Sequence, residues 1–342
     1  MKGRTIVLGE IDGRKVAALV VDGQLDDLLV EGPPGRPAPG TVYRGIAGRP
    51  LKGQGGVMLS LPDGQSAYLR QTKGIAPGQP ILVQVTGYAE PGKAVPVTTR
   101  LLFKSRYAIV TPEAPGANVS RAIGDDARSD ALTLLARSVD LPDGAGLILR
   151  SAAGTASDDD ILDDVASMSE AAATVLSDAG GKTPERLLDG DDPHVLAWRE
   201  WAADQVDRAP GALERHEILE AIARLREPVP LSGGGSMIVE PTRAFVAVDV
   251  NTGSDSSPAA GLKANIAAAR ALPRSLRCLG LGGVITIDFA PSPKRDRRQI
   301  ETALKSAFRT DPLETAFAGW TPLGHFELQR KRERLPLGEA LS

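Results

Sequence analysis

Two aspartates and an asparagine stand out by where they fall. Val246-Ala247-Val248-Asp249-Val250-Asn251 is an apolar run that ends polar, and Gly283-Val284-Ile285-Thr286-Ile287-Asp288-Phe289 repeats the pattern. Side chains alternate along a strand, so Val246, Val248 and Val250 share one face and Asp249 and Asn251 the other. A Gly/Ser-rich loop and a helix predicted from Pro258 to Leu279 separate the runs, with Gly280-Leu281-Gly282-Gly283 closing the helix. Strand, helix, strand favours a parallel pair joined by a right-handed crossover. Both aspartates then sit at carboxyl ends of strands, the rim where open α/β sheets place ligands. Neighbouring strands lie about 4.8 Å apart. Two carboxylates that close repel unless a cation sits between them. Mg²⁺ suits such a site because it takes one or two carboxylates and keeps several waters. A metal-bound water can attack a phosphodiester, and the ion offsets charge on the phosphate oxygens. An aspartate ending a strand also serves as a loop cap, and the pair alone fits a structural role as well as a catalytic one.

The elements that must position these residues form a long, mixed chain. Of 342 residues, 42% are hydrophobic and 24% charged, ordinary for a globular protein of two or more domains. Aromatics are only 4%, so the cores rely on Val, Leu, Ile and Ala. The start, Met1-Lys2-Gly3-Arg4-Thr5, leads straight into a strand rather than a cleavable apolar segment. Strand-like alternation continues to Val30, with Asp12-Gly13 and Asp22-Gly23 as turns. Gly32-Pro33-Pro34-Gly35 breaks the chain. Short strands between about 41 and 103 suggest a small barrel, of which the OB-fold is the common case. Helices are expected over 125–138 and 159–178, and over 194–225 with a break near Pro210. Pro273 is expected to kink the helix between the aspartates.

Charge excludes a simple basic nucleic-acid coat, since the net value is −3. Residues 289–342 nevertheless hold ten Lys/Arg against seven Asp/Glu, a candidate phosphate surface. No apolar run is long enough to span a bilayer. The single cysteine, Cys278, excludes an intrachain disulfide or a cysteine-cluster zinc site and reads as a small packing residue. A cytoplasmic location is therefore expected. His194, His216 and His325 have no metal-ligand spacing and read as structural or exposed.

The chain resembles the ribonuclease E/G family. The resemblance is carried by Leu231-Ser232-Gly233-Gly234-Gly235-Ser236-Met237-Ile238-Val239-Glu240, by 246–251 and by 281–289. It implies an α+β architecture: an RNase-H-like subdomain split by an OB-fold barrel insert, a 5′-phosphate-sensing subdomain and a DNase-I-like α/β nuclease subdomain. The segments implied are 1–35 and 185–226 for the RNase-H-like part, 36–104 for the barrel, 105–184 for the sensor and 227–342 for the nuclease. By that likeness Asp249 and Asp288 bind a catalytic Mg²⁺, and Asn251 orients one of them or the water. Family members cut single-stranded RNA internally and leave a 5′-phosphate on the downstream piece. Gly144 to Gly154 looks like the family's 5′-monophosphate pocket, with Arg150, Ser151 (threonine in the family) and Arg121 as its contacts. Tyr68 and Lys93 fall where the family's barrel touches RNA, although Met58 replaces a second aromatic.

Lys294, Arg297, Arg330 and Arg332 complete the expected RNA-contacting set, with Arg330 and Arg332 able to be a solvated helix end instead. Larger family members carry a Cys-x-x-Cys past the nuclease part. It is absent here, so no zinc-linked dimer is expected, only a monomer or a weak homo-oligomer. The reading that results is an Mg²⁺-dependent endoribonuclease acting in RNA processing or decay, with single-stranded RNA as partner and no membrane. Two rivals stay open: a non-catalytic RNA-binding protein of the same fold, and a phosphatase or nucleotide hydrolase using the same carboxylates.

Overall fold

The computed structural model describes residues 3–51, 53, 55–70, 73–90, 92–255, 257 and 259–342. Met1 and Lys2, ahead of the first predicted strand, and Pro258, at the start of the predicted helix, lie outside these. The chain divides into two compact units. One comprises Met1–Pro34, Asp192–Ala197 and Trp201–Ser342, the other Gly35–Asp191 and Trp198–Glu200.

The first unit opens on an antiparallel meander, β1 (Arg4–Ile11), β2 (Arg14–Val21) and β3 (Gln24–Val30). Its turns are the Asp-Gly pairs read from the sequence. Asp12 and Gly13 both have positive φ (50° and 75°), as do Asp22 and Gly23 (50° and 81°), the backbone that tight hairpins require.

The second unit begins with β4 (Val42–Leu51), β5 (Gly56–Ser60), β6 (Ser66–Leu69), β7 (Pro80–Val85) and β8 (Val95–Thr98). They pair in the order β4-β5-β6-β8-β7, and β7 returns to β4, closing a five-stranded barrel. Its inward positions hold Val57, Leu59, Ala67, Leu69, Val83, Val85, Val95 and Val97, the alternation that a filled small barrel needs. This fits the expected OB-fold insert. A second small sheet follows, from β9 (Phe103–Lys104), β10 (Ala108–Thr111), β11 (Gly116–Val119) and, after helix α1 (Asp126–Ser138), β12 (Gly146–Leu149). Helix α2 (Asp158–Ser177) packs on it. Asp125 caps α1 by accepting from the Arg128 amide, and Ser157 caps α2 through the Asp160 amide. Strand β13 (Glu185–Leu188) pairs with barrel strand β4, so the boundary expected at 185 falls before a strand of this unit.

Residues 194–225, expected as one broken helix, are more divided. They form α3 (Pro193–Glu200), β14 (Gln205–Asp207), α4 (Ala212–Arg215) and α5 (Ile218–Arg224). Strand β14 exists because it pairs in parallel with β1, a partner remote in sequence.

The rest of the first unit is a six-stranded mixed sheet. Its elements are β15 (Val229–Pro230), β16 (Ser236–Pro241), β17 (Val246–Asn251), α6 (Ala260–Cys278), β18 (Gly283–Asp288), α7 (Arg297–Phe308), β19 (Thr315–Trp320) and β20 (Phe326–Arg330). The strand order is β15-β16-β17-β18-β20-β19. A short helix, α8 (Leu337–Ala340), ends the chain. Val246, Val248, Val250, Ile285 and Ile287 face Leu272 and Leu276 of α6 and Ile300 and Leu304 of α7 in one core. Burying each such side chain is worth about 1.5–3 kcal/mol. A one-residue slip would bury the aspartates instead, so the apolar face fixes the register. The predicted kink does not interrupt α6, which stays one helix through the buried Pro273. Among the described residues no helix is long and apolar enough to cross a membrane.

Candidate active site

Strands β17 and β18 run parallel, and Asp249 pairs in register with Asp288. The two carboxylates thus stand side by side at the carboxyl rim, as the alternation predicted. Both residues are exposed, Asp288 to 67% at its side chain. Asn251 Nδ2 donates to Asp249 Oδ2 at 2.7 Å, which fixes that carboxylate's rotation. A close backbone approach supports the rim. A Cβ on Gly235 would lie 2.4 Å from the Asn251 carbonyl oxygen, and one on Gly253 2.2 Å from that of Gly234. Only glycine lets the Gly233-Gly234-Gly235 loop lie against the end of β17.

The donor set suits Mg²⁺: two exposed carboxylates, with solvent for the remaining positions. Among the described residues no group of three or more His, Cys, Asp or Glu is arranged to hold a metal ion.

Arg121 and Arg150, expected at the phosphate pocket, come to one place in the second unit. Strands β11 and β12 run parallel with Val119 opposite Leu149, so both arginines follow the same ends of adjacent strands. The Ser120 amide donates to the Leu149 carbonyl at 2.8 Å. Arg121 and Ser151 are exposed. Arg150 is largely covered and engaged: Nη1 donates to the Ser105 carbonyl at 2.7 Å, and Nη2 pairs with Glu200. Burial pushes the Glu200 carboxyl up, but Arg150 and Arg199 outweigh it and hold the group below its ordinary range. In the barrel, Tyr68 is half-buried, opposite Met58, with its ring over Gly56. Lys93 is exposed and pairs with Glu90 at 2.9 Å.

A sequence profile of the ribonuclease E/G family matches residues 103–210 and 206–333. The chain belongs to the ribonuclease E/G family. It is 26% identical to ribonuclease E of Nostoc sp. over 378 residues, covering 93% of this chain and 54% of that one. Ribonuclease E of Synechocystis sp. is 27% identical, with 96% and 57% covered. Ribonuclease G of Salmonella typhimurium is 25% identical, with 93% and 77% covered. The chain thus spans little more than half the length of the two ribonuclease E relatives.

Within this ribonuclease E/G chain the expected basic surface needs correction. Arg330 is fully buried, with Nη2 donating to Asp311 at 2.8 Å and Nη1 to Thr315 at 3.0 Å. It has no face to offer RNA. It also pairs opposite Gly283, at the start of β18, and the Arg332 guanidinium lies over the same glycine. Five residues of strand, about 16 Å at 3.3 Å each, separate that end from Asp288. Neither arginine follows a strand at the aspartates. Lys294 is exposed just after the Asp288 strand, and the Arg297 guanidinium lies 4.4 Å from the Trp320 ring centroid, a cation–π contact.

Two residues at the site escaped the sequence. His325, read as structural or exposed, puts Nε2 3.8 Å from Asp288 Oδ1. Asn265 of α6 is fully buried, and its amide exchanges two 2.9 Å hydrogen bonds with the backbone of Ala290, two residues after Asp288. Its only signal was a polar residue on the apolar face of an alanine-rich helix. Asn265→Ala leaves the Ala290 amide and carbonyl unpaired, so it is expected to destabilise the unit by about 1–3 kcal/mol. Urea unfolding of the two proteins measures this, and an unchanged midpoint contradicts it. The other histidines are structural: His194 Nε2 lies 3.0 Å from the Gly9 carbonyl, and His216 pairs with Asp207 at 3.1 Å. Cys278 is buried, and burial pushes its thiol up to about 12.

Proposed function

We propose that this chain is an endoribonuclease that cuts single-stranded RNA, uses Mg²⁺, and carries a pocket for the RNA's 5′-monophosphate. RNA processing or decay in the cytoplasm is the setting this implies. The observation that carries the reading is the register pair Asp249–Asp288 on parallel strands, with Asn251 bonded to Asp249. Family membership supports the reaction class. Asp249 and Asp288 hold the cation. When bound, Mg²⁺ supplies positive charge against the charge that develops on the scissile phosphate oxygens. Asn251 keeps Asp249 in one rotamer. Asn265 holds the loop after Asp288, so that carboxylate stays on the rim. In the second unit Tyr68 offers a ring for base stacking and Lys93 a charge; in the first, Lys294 and Arg297 offer charge to phosphates.

The pocket reading rests on Arg150, Ser151 and Arg121. Guanidinium forks match a terminal phosphate in two bonds, and a hydroxyl adds a third donor. In this structure the Glu200 carboxylate takes one arm of the Arg150 guanidinium, Nη2, and the Ser105 carbonyl takes Nη1, so a 5′-phosphate competes with Glu200 for Nη2. The sign of the pH effect follows. The Glu200 carboxyl is depressed, so its pairing persists at neutral pH and is lost only as pH falls through that lowered value. Glu200→Gln weakens the competitor by part of a charged hydrogen bond, about 1.5–3 kcal/mol. It is expected to raise the preference for 5′-monophosphate over 5′-hydroxyl RNA roughly tenfold. Equal binding of the two RNAs by both proteins would remove the pocket from the proposal.

The deciding experiment incubates the purified chain with 5′-monophosphorylated single-stranded RNA, with Mg²⁺ and with EDTA. Internal cleavage that EDTA abolishes supports the endonuclease. Binding without cleavage moves the reading to a non-catalytic RNA-binding protein, and turnover of nucleotides but not RNA to a small-molecule hydrolase.

A further inference from the structure

Helices α6 and α7 lie side by side and leave a groove of about 640 Å³ between them. Arg270 of α6, Arg295 from the turn before α7, and Arg298 of α7 line it, with Gln299 and Ser306. No acidic side chain is among the lining residues. Of the two acids at this end of α7, one is turned to Trp320 and the other lies beside a lining arginine. Glu301 accepts from Trp320 Nε1 at 2.8 Å, and Asp296 faces Arg295 at 3.8 Å. The guanidiniums of Arg270 and Arg298 have no ion-pair or hydrogen-bond partner among the described residues, and both residues are exposed. Two exposed guanidiniums without a bound counter-charge leave positive potential along the groove. An anionic ligand supplies the complementary charge.

The lining positions of α7 recur at three and four residues, 298, 299, 302, 303 and 306, so they form one straight stripe. From Arg295 to Ser306 the stripe runs roughly 16 Å at the helical rise of 1.5 Å per residue. It starts next to the loop leaving Asp288 and leads away along the two helices. The floor is low and weakly apolar, built from Ile266 and alanines. No aromatic lines it, so it lacks the anchor pocket that a bound peptide uses.

We propose that the α6–α7 groove is a second RNA-binding site, in which Arg270, Arg295 and Arg298 hold phosphodiesters of a single strand leaving the aspartate rim. The groove binds backbone, not base: arginine forks match phosphate oxygens, and nothing in it reads base edges. It rests on the RNA reading above but not on the cleavage chemistry. It goes beyond the contacts expected from Lys294 and Arg297, because Arg270 lies on another helix and Arg298 lines the groove.

The test uses the full chain carrying Asp288→Asn, so that the probe survives. The probe is a fluorescent single-stranded RNA with a 5′-hydroxyl, which takes the Arg150 pocket out of the measurement. Binding is followed by anisotropy from low to moderate salt, with and without the added pair Arg270→Gln and Arg298→Gln. Two lost phosphate contacts are expected to weaken binding roughly tenfold and to cut the slope of log K against log salt by about 1.4. The melting temperature should not move, since both side chains are exposed. An unchanged affinity and slope overturns the groove and leaves the RNA reading standing. A parent protein that binds no RNA overturns both. A poly-glutamate peptide that binds the parent and not the pair variant, while RNA binding stays equal, assigns the groove to an acidic protein and overturns the proposal.

Discussion

Asp288→Asn is expected to fold like the parent and to lose RNA cleavage by roughly three decades, since a cation's charge at a phosphate is worth several kcal/mol and each decade costs 1.36 kcal/mol. The fold should hold because the Asp288 side chain is two-thirds exposed and its contact with His325 is loose, Nε2 lying 3.8 Å away in the open. Asparagine keeps the shape and removes the charge that a cation requires. Asp249→Asn should lose as much, since Asp249 and Asp288 are register partners on one rim. The double variant should lose little more than either alone, because groups acting as one unit are not additive. Single-turnover rates on one RNA, with circular dichroism and melting temperature alongside, measure all three. Full activity in Asp249→Asn would remove the metal assignment. A fall matched by lost secondary structure would make the residue structural instead.

The site was legible because its information is local. An alternating strand, a helix and a second alternating strand specify a parallel pair, and the apolar faces of Val246, Val248, Val250, Ile285 and Ile287 set the register that brings Asp249 to Asp288. The barrel was legible for the same reason, with strands short and punctuated. What the sequence hid was long-range. Glu200 reaches Arg150 from 50 residues away, and no pattern in either segment announces the other. Strand β14 has three residues and owes its existence to β1. Pro273 broke a local rule, but α6 is held by Leu272 and Leu276 in the core, and that packing outweighs one missing hydrogen bond.

Arg330 is the sharpest case of this kind, and it carries the second large effect. A run of Arg330-Lys331-Arg332-Glu333-Arg334 reads as an RNA-contacting surface or a solvated helix end, yet Arg330 and Asp311 both have 0% exposed side chains. Asp311 accepts from Arg330 at 2.8 Å on one oxygen and from Arg277 at 2.7 Å on the other. Burial pushes the Arg330 guanidinium down, but arginine does not surrender its proton in a protein, so it must be paired. Asp26 also faces Arg277, at 3.1 Å, whereas Arg330 has only Asp311 as a charged partner among the described residues. Asp311→Ala therefore leaves Arg330 as an uncompensated buried charge, expected to cost about 3–5 kcal/mol. Removing both charges should cost much less: in Asp311→Asn with Arg330→Met, neither ion of this pair remains to be solvated, and Arg277 keeps Asp26. The comparison separates two accounts of the pair. If the ion pair itself stabilises the fold, the double variant is as damaged as Asp311→Ala. If the penalty is the orphaned arginine, the double variant recovers most of the loss, which is the expected result in urea unfolding monitored by Trp fluorescence. The effect should be blind to salt, since the pair is out of solvent, whereas RNA binding falls steeply as salt rises.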